Sequence, residues 1–125
     1  LHTVNKPYHA EYRVKGSKFP SYIYPAEYRD DVNTVLTNLK SEHPAATHHC
    51  YAYRLHPNNV IEFDQDDGEP GSTAGLPILG SLRSNELINV LLVVVRYYGG
   101  TKLGKSGLIE AYGHTADLCI QKASL

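Results

Sequence analysis

A chain of 125 residues, 42% of them hydrophobic, is long enough for one packed core, and a single domain over 1–125 is the default. With 12 Lys and Arg against 13 Asp and Glu the net charge is −1, which does not favour a general polyanion binder and leaves any nucleic-acid role to a local basic patch. No apolar run reaches the length of a membrane span, and the polar start around His2, Thr3 and Asn5 shows no signal peptide.

Two strands open the chain. Tyr8, Ala10, Tyr12 and Val14 alternate with His9, Glu11 and Arg13, Gly16-Ser17 supplies a turn, and residues 19–24 return. Arg13, Lys15 and Lys18 gather positive charge at that turn. After Pro25, Asp30 and Asp31 suit the positive end of a helix dipole. Val32, Val35, Leu36 and Leu39 then follow the spacing of one buried helical face, and the helix should end near Glu42–His43, before Pro44. Residues 48–56 read as a strand with Tyr51, Tyr53 and Leu55 on one face and Cys50, Ala52 and Arg54 on the other. A Pro57-Asn58-Asn59 turn and residues 60–63 complete a hairpin. His48 and His49 are adjacent on this strand and so point to opposite faces, a poor arrangement for sharing a metal. Cys50 and Cys119 have no metal-site spacing and read as two buried, reduced thiols of a cytoplasmic protein.

Two later stretches carry the chemistry. Asp64–Gly75, DQDDGEPGSTAG, sets Asp64, Asp66, Asp67 and Glu69 ahead of a run of Gly, Pro, Ser and Thr, in a spacing that misses the EF-hand loop. The same stretch can start a short helix over 77–84, with Ser72 or Thr73 as N-cap. Val90–Val95, apolar without polar alternation, predicts a strand buried on both faces. It runs into Arg96, Tyr97, Tyr98, Gly99 and Gly100, then Lys102, Gly104 and Lys105, a glycine-rich cationic loop. Gly99–Ser106 satisfies G-x-x-x-x-G-K-[ST], but tyrosines separate it from the strand, and too little chain follows for the βαβ units of a nucleotide-binding sheet. From Ser106 a helix is expected to carry Leu108, Ile109, Tyr112, Ala116, Cys119 and Ile120 inward.

Four segments, in this order, resemble the YigZ/Impact N-terminal domain family: Gly16-Ser-Lys-Phe19, Ala46-Thr-His-His-Cys50, Asp66-Asp-Gly-Glu-Pro70 running into Thr73-Ala-Gly75, and Arg96-Tyr-Tyr-Gly-Gly-Thr-Lys-Leu-Gly104. The family pattern usually has Gly where Ser72 stands, and small or apolar residues in place of Lys105 and Ser106, which marks the P-loop match as chance. The resemblance implies an α+β fold, a β-sheet packed with helices, like the second domain of the small-subunit ribosomal protein S-five and domain IV of elongation factor G. It implies one Impact N-terminal-like domain over 1–125, without the second, ferredoxin-like domain that bacterial relatives usually carry. It also implies a place among regulators of translation and ribosome- or nucleic-acid-associated proteins, with no cofactor and no known catalysis.

The residues themselves support two readings. In the first, the chain is a non-enzymatic module that binds RNA or a ribosome-associated protein. Arg96, Lys102 and Lys105 would neutralise phosphates, and Tyr97 and Tyr98 would stack on bases. Its ligand-binding residues are then His48, His49, Asp66, Asp67, Gly68, Glu69, Pro70, Thr73, Gly75, Arg96, Tyr97, Tyr98, Gly99, Gly100, Lys102, Gly104 and Lys105, with no catalytic residue and no metal. Asp66, Asp67 and Glu69 would repel a phosphate backbone beside them, unless they order the basic loop by pairing with Arg96 or favour a basic protein partner. In the second reading the chain is a metal-assisted peptidase or phosphoesterase, with His48 or His49 as general base and Asp66, Asp67 or Glu69 orienting it or holding the metal. No nucleophile elbow, H-E-x-x-H or zinc spacing supports it. The proposed site requires the sheet to bring the 66–75 and 96–107 segments side by side.

Overall fold

Alternating residues make the first hairpin: β1 (Tyr8–Val14) pairs with β2 (Ser17–Pro25), Tyr12 opposite Phe19. In the computed structural model, which describes residues 1–123, α1 (Arg29–Glu42) follows and buries Val32, Leu36 and Leu39. Asp31 sets its start by accepting the N–H groups of Glu27 and Tyr28. A second hairpin, β3 (His48–Leu55) and β4 (Ile61–Gln65), leads to α2 (Gly75–Ser84), β5 (Val90–Arg96) and α3 (Gly104–Lys122). The five strands form one antiparallel sheet in the order β1-β2-β5-β3-β4. The architecture is α+β, as expected.

β5 is the central strand and every residue of it is buried. Val90, Leu92 and Val94 face a core shared with Phe19, Cys50, Ile78, Leu82 and Tyr112, beneath α2 and α3. Leu91, Val93 and Val95 face the opposite core, with Val32, Leu36 and Leu39 of α1 and Tyr53 and Leu55 of β3. Helices cover both faces, so an antiparallel strand carries the continuous apolar run more usual in parallel sheets.

Several boundaries differ from the sequence reading. Arg96 belongs to β5 and not to the loop, because it pairs with His48 of β3. The helix expected over 77–84 starts at Gly75 with Ala74 as N-cap, so neither Ser72 nor Thr73 caps it. α3 starts at Gly104, which puts Lys105 and Ser106 in its first turn. Ile109 is 47% exposed; the buried stripe runs through Ala111 and Thr115 instead, turned toward the sheet. The antiparallel pairing of β5 also removes the parallel-sheet setting of a phosphate-binding loop. Among the described residues no helix is long and apolar enough to cross a membrane.

Candidate functional site

Strand alternation decides which groups meet. Arg96 lies on the α3 side of β5 with Leu92 and Val94, and the register sets His48 beside it. The turn before β2 docks against the loop after β5. A Cβ on Gly99 would stand 2.0 Å from the carbonyl carbon of Gly16 and 2.5 Å from the nitrogen of Ser17, so only glycine allows this approach. The approach lets Ser17 Oγ accept the Gly99 N–H at 3.3 Å, and Arg96 Nη2 and Nε at 3.3 and 3.4 Å.

Glu69 completes the cluster. Arg96 Nη1 donates to Glu69 Oε2 at 2.8 Å and to Oε1 at 3.1 Å, and the Tyr112 hydroxyl donates to Oε2 at 2.6 Å. Glu69 is 8% exposed and Arg96 5%. A pair this buried is tolerable only when its remaining groups are bonded, and among the described residues no buried side-chain nitrogen or oxygen lacks a partner. Arg96 also lies over the rings of Phe19 and Tyr98, its Cζ 5.7 and 5.3 Å from their centroids. Burial pushes the Tyr112 hydroxyl far above the usual phenol range, helped by neighbouring Cys50 and Glu69, so it stays a donor. Burial likewise raises the Cys50 thiol, 3.4 Å from Tyr112 Oη and 3.1 Å from the Asp66 carbonyl oxygen, which makes it a packed thiol and no nucleophile.

The other acids of the 66–75 stretch also serve the protein itself. Asp66 Oδ1 accepts the N–H groups of Ala74 and Gly75 at 3.1 and 2.9 Å, and Oδ2 that of Ser72 at 2.9 Å, so it caps α2 from a distance. Asp67 Oδ2 accepts the His49 N–H at 2.8 Å, and its carbonyl accepts His48 Nδ1–H, also at 2.8 Å. Asp67 at φ 45° and Gly68 at φ 91° make the turn that brings Glu69 inward. Thr73 is buried behind it, and a Cβ on Gly75 would stand 2.7 Å from Asp64 Oδ2.

Above the Glu69–Arg96 pair lies a cavity of about 350 Å³. Pro70, Tyr98, Leu103 and Leu108 give it apolar walls, and Lys102, Gly104 and Lys105 border it. Lys102 and Lys105 are exposed and have no ion pair among the described residues. Lys15 lies beyond Leu103, in a neighbouring groove that also contains Glu110.

The two segments therefore meet, but not all seventeen candidate residues do. Tyr97 and His49 fall on the α1 side of the sheet. There the Tyr97 hydroxyl lies 2.6 Å from His43 Nδ1, the Tyr22 hydroxyl 2.7 Å from His43 Nε2, and His49 Nε2 donates to the His43 carbonyl at 2.9 Å. Lys18 sits over the Tyr97 ring, 4.7 Å from its centroid, on that same side. Burial holds His43 below the usual imidazole range. Gly100, at φ 88°, is exposed at the loop tip. Sequence reasoning missed Ser17 and Tyr112 as members of the cluster. The signal for Tyr112 was present: a tyrosine on an inward helical stripe needs a buried acceptor for its hydroxyl.

This arrangement does not favour hydrolysis. Both ring nitrogens of His48 already face protein groups, Nδ1 the Asp67 carbonyl and Nε2 Glu69 Oε1 at 3.4 Å. A general base needs a nitrogen within reach of its substrate. Among the described residues no group of three or more His, Cys, Asp or Glu is placed to hold a metal ion.

Comparison with known proteins covers the same region. The Impact N-terminal domain matches residues 15–120. An IMPACT family member of Haemophilus influenzae is 42% identical over 106 residues, 83% of this chain and 52% of that protein. IMPACT family member YvyE of Bacillus subtilis is 38% identical over 111 residues, 89% of this chain and 51% of that protein. The chain thus spans about half the length of these curated relatives. A crystal structure of a hypothetical protein superposes with a TM-score of 0.92 at 31% identity, covering 96% of this chain and 59% of that one. The two-domain translational regulator Yih1 shares the fold at a TM-score of 0.55 and 23% identity, over 96% of this chain and 46% of its own. The match runs from the turn that docks on Gly99 to the end of the stripe that carries Tyr112, and the chain belongs to the Impact N-terminal domain family.

Proposed function

We propose that this domain is a non-enzymatic binding module in the regulation of translation, and that it holds RNA phosphates on the Lys102–Lys105 side of the loop between β5 and α3. One observation carries this reading. Glu69 is turned to Arg96 and Asp66 to the start of α2, whereas Lys102 and Lys105 remain exposed and without an ion pair among the described residues. The acidic stretch then orders the basic one and offers less repulsion to an incoming phosphate. The assignment to translation rests on likeness: Yih1, which shares the fold, is a translational regulator. The free, buried Cys50 and Cys119 are in keeping with a cytoplasmic setting.

The test is fluorescence anisotropy of a labelled single-stranded RNA across a salt series. Log affinity should fall linearly with log salt, and the Lys102→Ala/Lys105→Ala double variant should weaken binding and flatten the slope by about 1.4, for two lost phosphate contacts at about 0.7 each. No salt-dependent affinity would remove the RNA reading and leave a protein partner for the same face.

A further inference from the structure

The cavity has features that phosphate binding alone does not require. Its walls at Pro70, Tyr98 and Leu103 are apolar, and Lys102 and Lys105 stand at its border. A volume of about 350 Å³ lies at the small end of ligand sites, which run from about 300 to 1,000 Å³. Tyr98 is 45% exposed although Arg96 lies over its ring, and its N–H is fixed by Thr47 Oγ1 at 3.0 Å. A large aromatic ring held in place and left open to solvent beside cationic side chains is a stacking platform. The Arg96 guanidinium lines the same cavity and puts fixed positive charge on the wall, against the Tyr98 ring.

We infer that this cavity takes one unstacked nucleotide of a single-stranded RNA, its base against Tyr98 between Pro70 and Leu103, its phosphate on Lys102 and Lys105. The inference rests on the RNA reading above and narrows it. In an A-form duplex the bases are stacked and paired, so a duplex meets the lysines but leaves the cavity empty. The base is held by its face. The Glu69 oxygens are already bonded to Arg96 and Tyr112, so little base identity is read.

The test compares a short single strand, the matching duplex and a free nucleoside monophosphate on the intact chain, with Tyr98→Ala and Tyr98→Phe. The wild type should prefer the single strand. Tyr98→Ala should lower single-strand affinity about tenfold, in line with ~1–3 kcal/mol per stacked base, and lower duplex affinity by clearly less, with a circular-dichroism spectrum and thermal melt like those of the wild type showing that the variant is folded. Tyr98→Phe should retain the wild-type preference. Equal affinity for strand and duplex, or a Tyr98→Ala preference equal to that of the wild type, overturns this inference and leaves the phosphate reading standing. Competition by the free mononucleotide at concentrations equal to the strand overturns the strand as the source. Binding of neither RNA removes the underlying reading and this one with it.

Discussion

Glu69 and Arg96 work only as a pair. Each is buried, and each would be an uncompensated charge without the other. Glu69→Ala is expected to destabilise the fold by about 3–5 kcal/mol, measured by urea unfolding, because it strands the guanidinium. Replacing both residues with apolar side chains of similar volume should recover most of that loss. A single substitution that costs under about 1 kcal/mol, the range of exposed pairs, would mean that water reaches the pair freely. The sequence allowed an acid to pair with Arg96 but could not choose among Asp66, Asp67 and Glu69. The choice is made by backbone geometry, Asp67 and Gly68 at positive φ, and by the commitment of Asp66 to α2. Neither leaves a periodic trace in the sequence.

The elements were legible where periodicity is strong. The hairpins and the split of His48 from His49 follow from alternation, and the two-faced burial of β5 from an apolar run that lacks it. The start of α2 was not, because its N–H groups are capped by a residue eight or nine positions upstream and not by a local Ser or Thr. A comparable long-range tie joins β4 to β3 and α2. Glu62 accepts Arg83 Nη2 at 2.6 Å and Arg54 Nε at 2.9 Å. The Arg83 hydrogen bond, with Arg54 adding to it and burial opposing, holds the Glu62 carboxyl below the usual range. A carboxyl lowered on folding adds stability above its unfolded value of about 4.3, and that stability is lost as pH falls through the lower folded value. Stability measured by urea unfolding should therefore drop as pH is lowered through the acid range. Glu62→Gln should show a shallower drop, and an identical pH profile would mean that the tie contributes nothing.

At the scale of the molecule, the sheet order is what makes a site from distant segments. With β5 between β2 and β3, the loop after β5 lies against the turn before β2 on one side and the start of β3 on the other. Pairing order depends on contacts across the whole chain, so no local pattern in the sequence announced it. The same sheet divides the tyrosines. Tyr97 goes to the α1 side with His43, and Tyr98 to the cavity with Arg96. The account therefore predicts a one-sided ligand surface. The most direct measurement is a backbone amide NMR titration with single-stranded RNA. Shifts should concentrate in residues 98–108 and around Pro70, while His43, His49 and Tyr97 stay in place. Shifts centred on the α1 side, or spread evenly over both faces, would contradict the account.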